Sequence, residues 1–339
     1  MSPEGRAVFA RGLRLSLVAT LGLAIEGLRG AELPFLAPLI ALSLVAAISG
    51  PPSGRLVVVL SGVALGATAA SWLLSAASLS VPGVYGLGVG LLYLWCFVLI
   101  FTPKLAPVGI LALTMSIVVS ALSAASVGLA AGAAVEILLS LITAFGLIYL
   151  AQAIFPHPPL SPVAQPAAAT VGKMSVVQRS LLATAVLLPL HLFITSEGVA
   201  TIVVLMTAAT MLYQPGLSQS LNWSLASIVG NALGGVAASA AAAITGQHDG
   251  QVMAISVVPF VTLAFAAQAA KGPHHEAVFI PGMVTFVLLY GMWLSPLLGG
   301  QEVGAMRRVL QVACASAYTV GAASLMLPLV RRLGRRRPA

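Results

Sequence analysis

Arg307 and Arg308 stand side by side at the start of the last apolar run of the chain. A guanidinium pair at the mouth of a membrane span would attract an anion, because charged groups there usually mark a pathway. The plainer alternative is an interfacial pair snorkelling to head groups beside Glu302. Glu136 lies about one turn inside another apolar run, as an ion-pair partner, a proton site or a head-group contact. Glu26 and Arg29 close the first run, and His191 falls 165 residues after Glu26. Histidine titrates near neutrality, so these positions suggest a proton-responsive ring, against a plain interfacial location. Asn231 puts an amide inside an apolar run, where it must either glue helices together or line a cavity. Asn222 and Gln214 lie nearby in sequence.

Other chemistries find no support in the sequence. His157, His191, His248, His274 and His275 have no carboxylate or cysteine partner at ligand spacing. No phosphate-binding glycine loop of the Walker A type occurs, so active transport would draw on an ion gradient or another subunit. Cys96 and Cys314 both fall inside apolar runs, which argues against a disulfide framework. The expectation is a protein that is not an enzyme and needs no cofactor or metal.

The elements that must position these residues follow from composition. Of 339 residues, 59% are hydrophobic and 7% charged, with a mean hydropathy of +1.05. Soluble domains carry roughly 25% charged residues, so the surface must face lipid. Twelve spans are predicted, at about 13–28, 33–49, 56–77, 84–101, 107–127, 131–154, 179–195, 199–214, 221–244, 251–269, 276–294 and 306–329. The run lengths require helices rather than barrel strands. Ten full spans are the alternative, since the first and seventh are short or tightly joined. The N-terminus reads as a retained span rather than a cleaved signal peptide, for want of a convincing cleavage site.

Placing the N-terminus in the cytoplasm puts thirteen of sixteen basic residues inside, including Arg331, Arg332, Arg335, Arg336 and Arg337. That distribution sets both termini inside. It also explains the net charge of +8 without nucleic acid, through contact with acidic head groups of the bilayer.

The two halves echo each other. Gly62-Val-Ala-Leu-Gly66-Ala-Thr-Ala-Ala-Ser71 recurs 168 residues later as Gly230-Asn-Ala-Leu-Gly234-Gly235-Val-Ala-Ala-Ser239. Ser16-Leu-Val-Ala-Thr20 parallels Ser180-Leu-Leu-Ala-Thr184, and Gly50-Pro51 falls opposite Gln214-Pro215. Six spans per half give parallel repeats about an axis along the membrane normal. The predicted organisation is a first repeat over 1–154, a Pro/Ala-rich cytoplasmic linker over 155–178, a second repeat over 179–330 and a basic tail over 331–339. Gly62, Gly66, Gly230, Gly234 and Gly235 make GxxxG-type faces whose first use is close helix packing.

Laid out this way, the chain resembles the fusaric acid resistance and aromatic acid exporter superfamily. The likeness rests on Leu33-Pro-Phe-Leu-Ala-Pro38, Gly50-Pro51 with Arg55, and Gly62 with Gly66. In the second half it rests on Thr207 through Tyr213-Gln214-Pro215-Gly216, and on Gly230 through Gly235. The resemblance implies export of small aromatic carboxylic acids across the bacterial inner membrane, with a periplasmic adaptor of the membrane-fusion type as partner. Similar six-span plant proteins are organic-anion channels that dimerise around a pore. This chain differs from the longer exporters in having no sizeable cytoplasmic domain between its halves. Three readings follow: a secondary transporter with its pathway between the repeats, a passive organic-anion channel, or a non-transporting scaffold for an adaptor. The major-facilitator pattern ranks below these, because Gly50-Pro-Pro-Ser-Gly-Arg55 lacks its acidic residue and basic cluster.

Overall fold

A computed structural model describes residues 3–48, 50–156, 174–194, 201–213, 221–246, 255–296 and 305–335. At 3–8, 46–47, 201, 221–224, 273, 305–309 and 329–335 it describes the backbone alone. The described residues form twelve α-helices and no strand. They are α1 (Pro3–Leu28), α2 (Leu36–Ala47), α3 (Gly54–Ser78), α4 (Pro82–Ile100), α5 (Ala106–Ala125) and α6 (Val127–Ile154). The others are α7 (Val176–Ile194), α8 (Thr201–Tyr213), α9 (Leu221–Thr245), α10 (Val258–Ala269), α11 (Pro273–Leu294) and α12 (Ala305–Arg335).

Eight helices, α3 to α7, α9, α11 and α12, are long and apolar enough to cross a membrane. Helices α2, α8 and α10 are shorter apolar segments, and α1 is 26 residues long but interrupted by charge. The chain is thus a multi-pass α-helical membrane protein. Large apolar side chains stand outward, as Phe193 (83% exposed), Leu325 (76%) and Phe260 (74%) do. In water each would cost free energy, whereas in hydrocarbon each is at home.

Local sequence explains where the helices begin and end. Proline occupies the first turn of α4, α5, α10 and α11, where its missing N–H costs nothing and its fixed φ favours the helix. Helix α1 ends differently. Gly30 adopts φ +69°, and the N–H groups of Gly30 and Ala31 donate to the carbonyls of Gly27 and Glu26, both at 3.0 Å. This is a Schellman cap, which needs a left-handed residue after the helix and therefore favours glycine.

The chain divides into two compact units, and neither is a half of the sequence. One comprises Met1–Ser61, Val135–Pro159 and Leu225–Ala313, and the other Gly62–Ala134, Leu160–Ser224 and Cys314–Ala339. In unit 1, α1 packs on α2, α10 and α11, while α11 also packs on α10 and α2. Its core holds Leu15, Leu23, Phe35, Leu36, Phe286 and Tyr290, all under 2% exposed. In unit 2, α4 packs on α5 and α7, and α8 packs on α7 and α5. Tyr93 and Phe97 lie at its centre. Most of the linker, 157–173, and the tail residues 336–339 lie outside the described residues, while 331–335 continue α12 as helix.

Candidate functional site

In unit 1 the cap of α1 fixes a charged cluster. Glu26 sits in the last turn, three residues before Arg29, so the two side chains fall on one helix face. The Glu26 side chain is fully buried and its Oε2 accepts from Arg29 Nη2. From α6, Glu136 reaches the same guanidinium: Nη1 donates to Oε2 at 3.1 Å and Nη2 to Oε1 at 2.7 Å. The Arg29–Glu136 contact is therefore a two-point fork, a strong geometry for such a pair. The remaining oxygen of Glu26, Oε1, is buried and has no hydrogen-bond partner among the described residues. The far end of α1 is tied down as well. Arg11 donates to Glu276 at 2.5 Å, and Arg14 donates to the Phe155 carbonyl at 3.2 Å.

In unit 2 the cluster is built from neutral groups. His191 is 1% exposed, in the last turn of α7. Its Nε2 is 3.0 Å from the Tyr85 hydroxyl and its Nδ1 is 3.0 Å from the Tyr93 hydroxyl. Both tyrosines come from α4, eight residues apart, which returns them to nearly the same face after two turns. A neutral imidazole donates from one ring nitrogen and accepts at the other. One tyrosine must then donate to the ring while the other receives from it. Pro189, two residues before His191, removes one backbone N–H from α7 and loosens the helix where the imidazole is held.

Unit 2 also buries a set of hydroxyls. Among the described residues of unit 2, Thr68, Ser71 and Ser75 on α3, Ser120 and Ser123 on α5, Thr184 and Thr207 are buried without a hydrogen-bond partner. Those of α3 are spaced three and four residues apart and so line one face. Ser75 and Ser120 sit beside the Tyr85 hydroxyl without bonding to it in good geometry. Other buried hydroxyls return to their own helix, as Ser116 does to the Ala112 carbonyl at 2.8 Å and Thr245 to that of Ala241 at 2.8 Å. Orphaned buried hydroxyls are uncommon because desolvation without a partner is costly, and they commonly face water or a polar ligand.

A third polar contact ties α9 to α11. The Thr285 hydroxyl donates to Asn231 Oδ1 at 2.9 Å, and both residues are buried. On either side of Asn231 the backbones meet. A Cβ on Gly230 would stand 2.1 Å from the Val278 carbonyl oxygen, and one on Gly234 would stand 2.1 Å from that of Gly282. Gly235 is buried and its carbonyl accepts from Ser239 at 2.9 Å. At Gly230 and Gly234 the lack of a side chain lets the α9 and α11 backbones approach closely.

The first copy of the motif behaves otherwise. Gly62 and Gly66 are exposed, and a Cβ on either would meet nothing within 4 Å. The packing expected of this pair does not occur among the described residues. The reason is the helix face chosen. Helix α3 turns Leu60, Ala64, Ala67, Thr68, Ser71 and Ser75 inward, on the side away from its glycines. Among the aromatic side chains, Tyr93 and Tyr290 are fully buried, whereas Trp95 is 64% exposed.

Of the residues singled out from the sequence, Glu26 and Glu136 come together on Arg29, His191 meets two tyrosines, and Asn231 meets Thr285. Gln214 lies outside the described residues, as do the side chains of Arg307, Arg308 and Asn222. The reading of single residues missed Tyr85, Tyr93, Thr285 and the serine faces. Recurrence of Thr68, Ser71 and Ser75 at helical spacing was the available signal for the α3 stripe. Among the described residues no group of three or more His, Cys, Asp or Glu side chains could hold a metal ion.

Residues 182–322 match the fusaric acid resistance protein-like family model. The match supports the superfamily indicated by the motifs of the sequence, and it covers α8 to α11 together with most of α7 and α12. Searches of the curated proteins and of the solved structures gave no match.

Proposed function

We propose that this chain is a secondary transporter of the bacterial inner membrane that exports small organic acids, aromatic carboxylic acids foremost. The observation that carries the reading is the family match over 182–322. A family described by resistance to an organic acid fits a membrane protein that moves such an acid outward. The buried polar groups supply further support. Hydrocarbon-facing helices do not retain a buried carboxylate, a tyrosine-held imidazole and a set of orphaned hydroxyls without use. Hydroxyl donors suit an anion that must be bound and then released, because they stabilise it without the grip of a full positive charge.

The proposal includes twelve spans in two parallel six-helix repeats, with both termini in the cytoplasm. Packing within the units supports the repeats. The pairs α1–α2, α1–α10, α2–α11 and α10–α11 correspond, half a chain away, to α7–α8, α7–α4, α8–α5 and α4–α5. Arg307 and Arg308 belong to the proposed pathway as anion attractors, and a periplasmic adaptor is the proposed partner.

The test uses cells lacking their own exporters, loaded with labelled fusaric acid, with and without the full chain. Faster efflux that stops when the proton and sodium gradients are collapsed supports the transporter. Efflux unchanged by the chain overturns it. Flux that persists without gradients and never runs uphill favours the channel. Co-purification with an adaptor in the absence of any flux favours the scaffold.

A further inference from the structure

The cluster at the end of α1 does not balance its charge. Arg29 brings one positive charge, and Glu136 meets it with both oxygens, at 2.7 and 3.1 Å. That fork alone neutralises the guanidinium. Glu26 then adds a second carboxylate at 0% exposure, sharing Nη2 through Oε2 and leaving Oε1 buried without a partner. One negative charge is in surplus on an atom removed from water, which is costly unless a cation joins it.

Helices α2 and α10, packed on α1, contain no titratable residue. Helix α11 contributes Tyr290, whose hydroxyl is 3.2 Å from that of Thr245. At its other end α11 carries His274, His275 and Glu276, with Glu276 engaged by Arg11. Helix α6 contributes Glu136 itself. Tyr149 of α6 bonds to the Pro52 carbonyl. Glu32, in the turn after α1, is exposed, and its carbonyl accepts from Ser295 at 2.5 Å. Among these described side chains Arg29 is the one cation at this end of α1, and Glu136 has already engaged it.

We propose that Glu26 Oε1 is the binding point of the coupling cation, one positive charge taken up and released in each export cycle. This rests on the export reading above and names the ion that drives it. The shared chemistry is a single monovalent positive charge, supplied by a proton or a sodium ion. With a proton, an O–H bond forms at Oε1, Glu26 becomes a neutral carboxylic acid, and Oε2 continues to accept from Arg29. Release breaks that bond and restores the surplus charge. With sodium, Oε1 supplies one of the ion's oxygen ligands and no covalent bond changes. Either way, occupation discharges the cluster and vacancy charges it, so the end of α1 has two electrostatic states for the protein to exploit.

The full chain is reconstituted in proteoliposomes, with fusaric acid as the probe. A pH gradient is imposed in one set and a sodium gradient in the other. The wild type is expected to accumulate fusaric acid against its own gradient under one of the two, which identifies the cation. Glu26→Gln keeps the shape and the Arg29 contact but removes the charge. It is expected to lose accumulation at least tenfold while still exchanging labelled for unlabelled fusaric acid. Glu136→Gln, which leaves Arg29 to be balanced by Glu26 alone, is expected to show the same split. Retained exchange demonstrates a folded protein.

Accumulation by Glu26→Gln at the wild-type level overturns the proposal. Parallel loss of accumulation and exchange in both variants also overturns it, because that is the mark of a structural role. A wild type that exchanges the probe but accumulates it under neither gradient overturns the coupling and leaves a passive route. A wild type that moves no fusaric acid in either mode refutes the export reading itself, a result separable from the others.

Discussion

Glu26 and His191 occupy matching places, in the last turns of α1 and α7, yet they meet opposite surroundings. In unit 1 the carboxylate joins an arginine and a second carboxylate. In unit 2 the imidazole is held between two tyrosine hydroxyls, with no charge on either. The glycine motifs diverge in the same manner. In α9 they bring two backbones together, whereas in α3 they face outward and a hydroxyl stripe turns inward. In each unit four helices pack in pairs, and the polar chemistry they carry differs. Unit 1 carries the charged cluster and the glycine contact of α9 with α11, and unit 2 carries the tyrosine-held imidazole and the hydroxyl stripe of α3.

Substitutions can break this contrast, and the largest effect is expected at the glycines. Gly234→Leu drives a side chain into the Gly282 carbonyl, 2.1 Å from where its Cβ would stand. Backbone cannot yield as a flexible side chain can, so the monodisperse peak in detergent size-exclusion chromatography should disappear. Gly66→Leu places the same side chain in open space, and the peak should survive. If both variants fold equally well, the contrast between α9 and α3 is wrong.

Arg29→Ala should come next. It strands two buried carboxylates, and breaking a buried pair costs about 3–5 kcal/mol. The lower end applies, because the Arg29 side chain is 30% exposed. His191→Phe removes the bridge between two tyrosines without uncovering a charge, at roughly 1–3 kcal/mol for the Tyr93 hydroxyl left unsatisfied, since Tyr85 has Ser75 and Ser120 beside it. Thermal melting in one detergent would rank the two, with Arg29→Ala the more damaging. The reverse order would mean that the charged cluster is well hydrated.

Asn231→Val sharpens the comparison at its weakest point. Hydrogen bonds between membrane helices average about 0.6 kcal/mol, with a ceiling near 1.7, so the melting shift should be small. A loss comparable with that of Gly234→Leu would make the amide, rather than the glycines, the main tie between α9 and α11.

Much of this architecture was legible from the order of the residues. Apolar run length and scarce charge point to membrane helices, because only satisfied backbones survive in hydrocarbon. Glu136 was legible as an ion-pair candidate because an isolated acid in an apolar run requires a partner. Its partner was not, since Arg29 lies 107 positions away and chain distance carries no record of contact. Tyr85 and Tyr93 were hidden for another reason. A tyrosine reads equally well as a head-group anchor or as a buried hydroxyl, and only tertiary packing against α7 decides. The α3 glycines misled because GxxxG describes a permissive face without saying which face a helix buries. His191 was legible as a residue able to change charge, whereas the two hydroxyls that hold it depend on how α4 meets α7.

The turn at Gly30 has a consequence for how this sequence can drift. Its left-handed backbone costs any other L-residue roughly 1–2 kcal/mol, and the last turn of α1 that it closes carries both Glu26 and Arg29. Loss of the glycine would therefore shift two charges at once, and loss of the charges would relax the demand for that exact turn. Across descendants of this chain, the glycine and the two ionisable residues should be inherited or lost as a set. A lineage that keeps Gly30 while replacing both Glu26 and Arg29 would show that the turn serves the helix end alone.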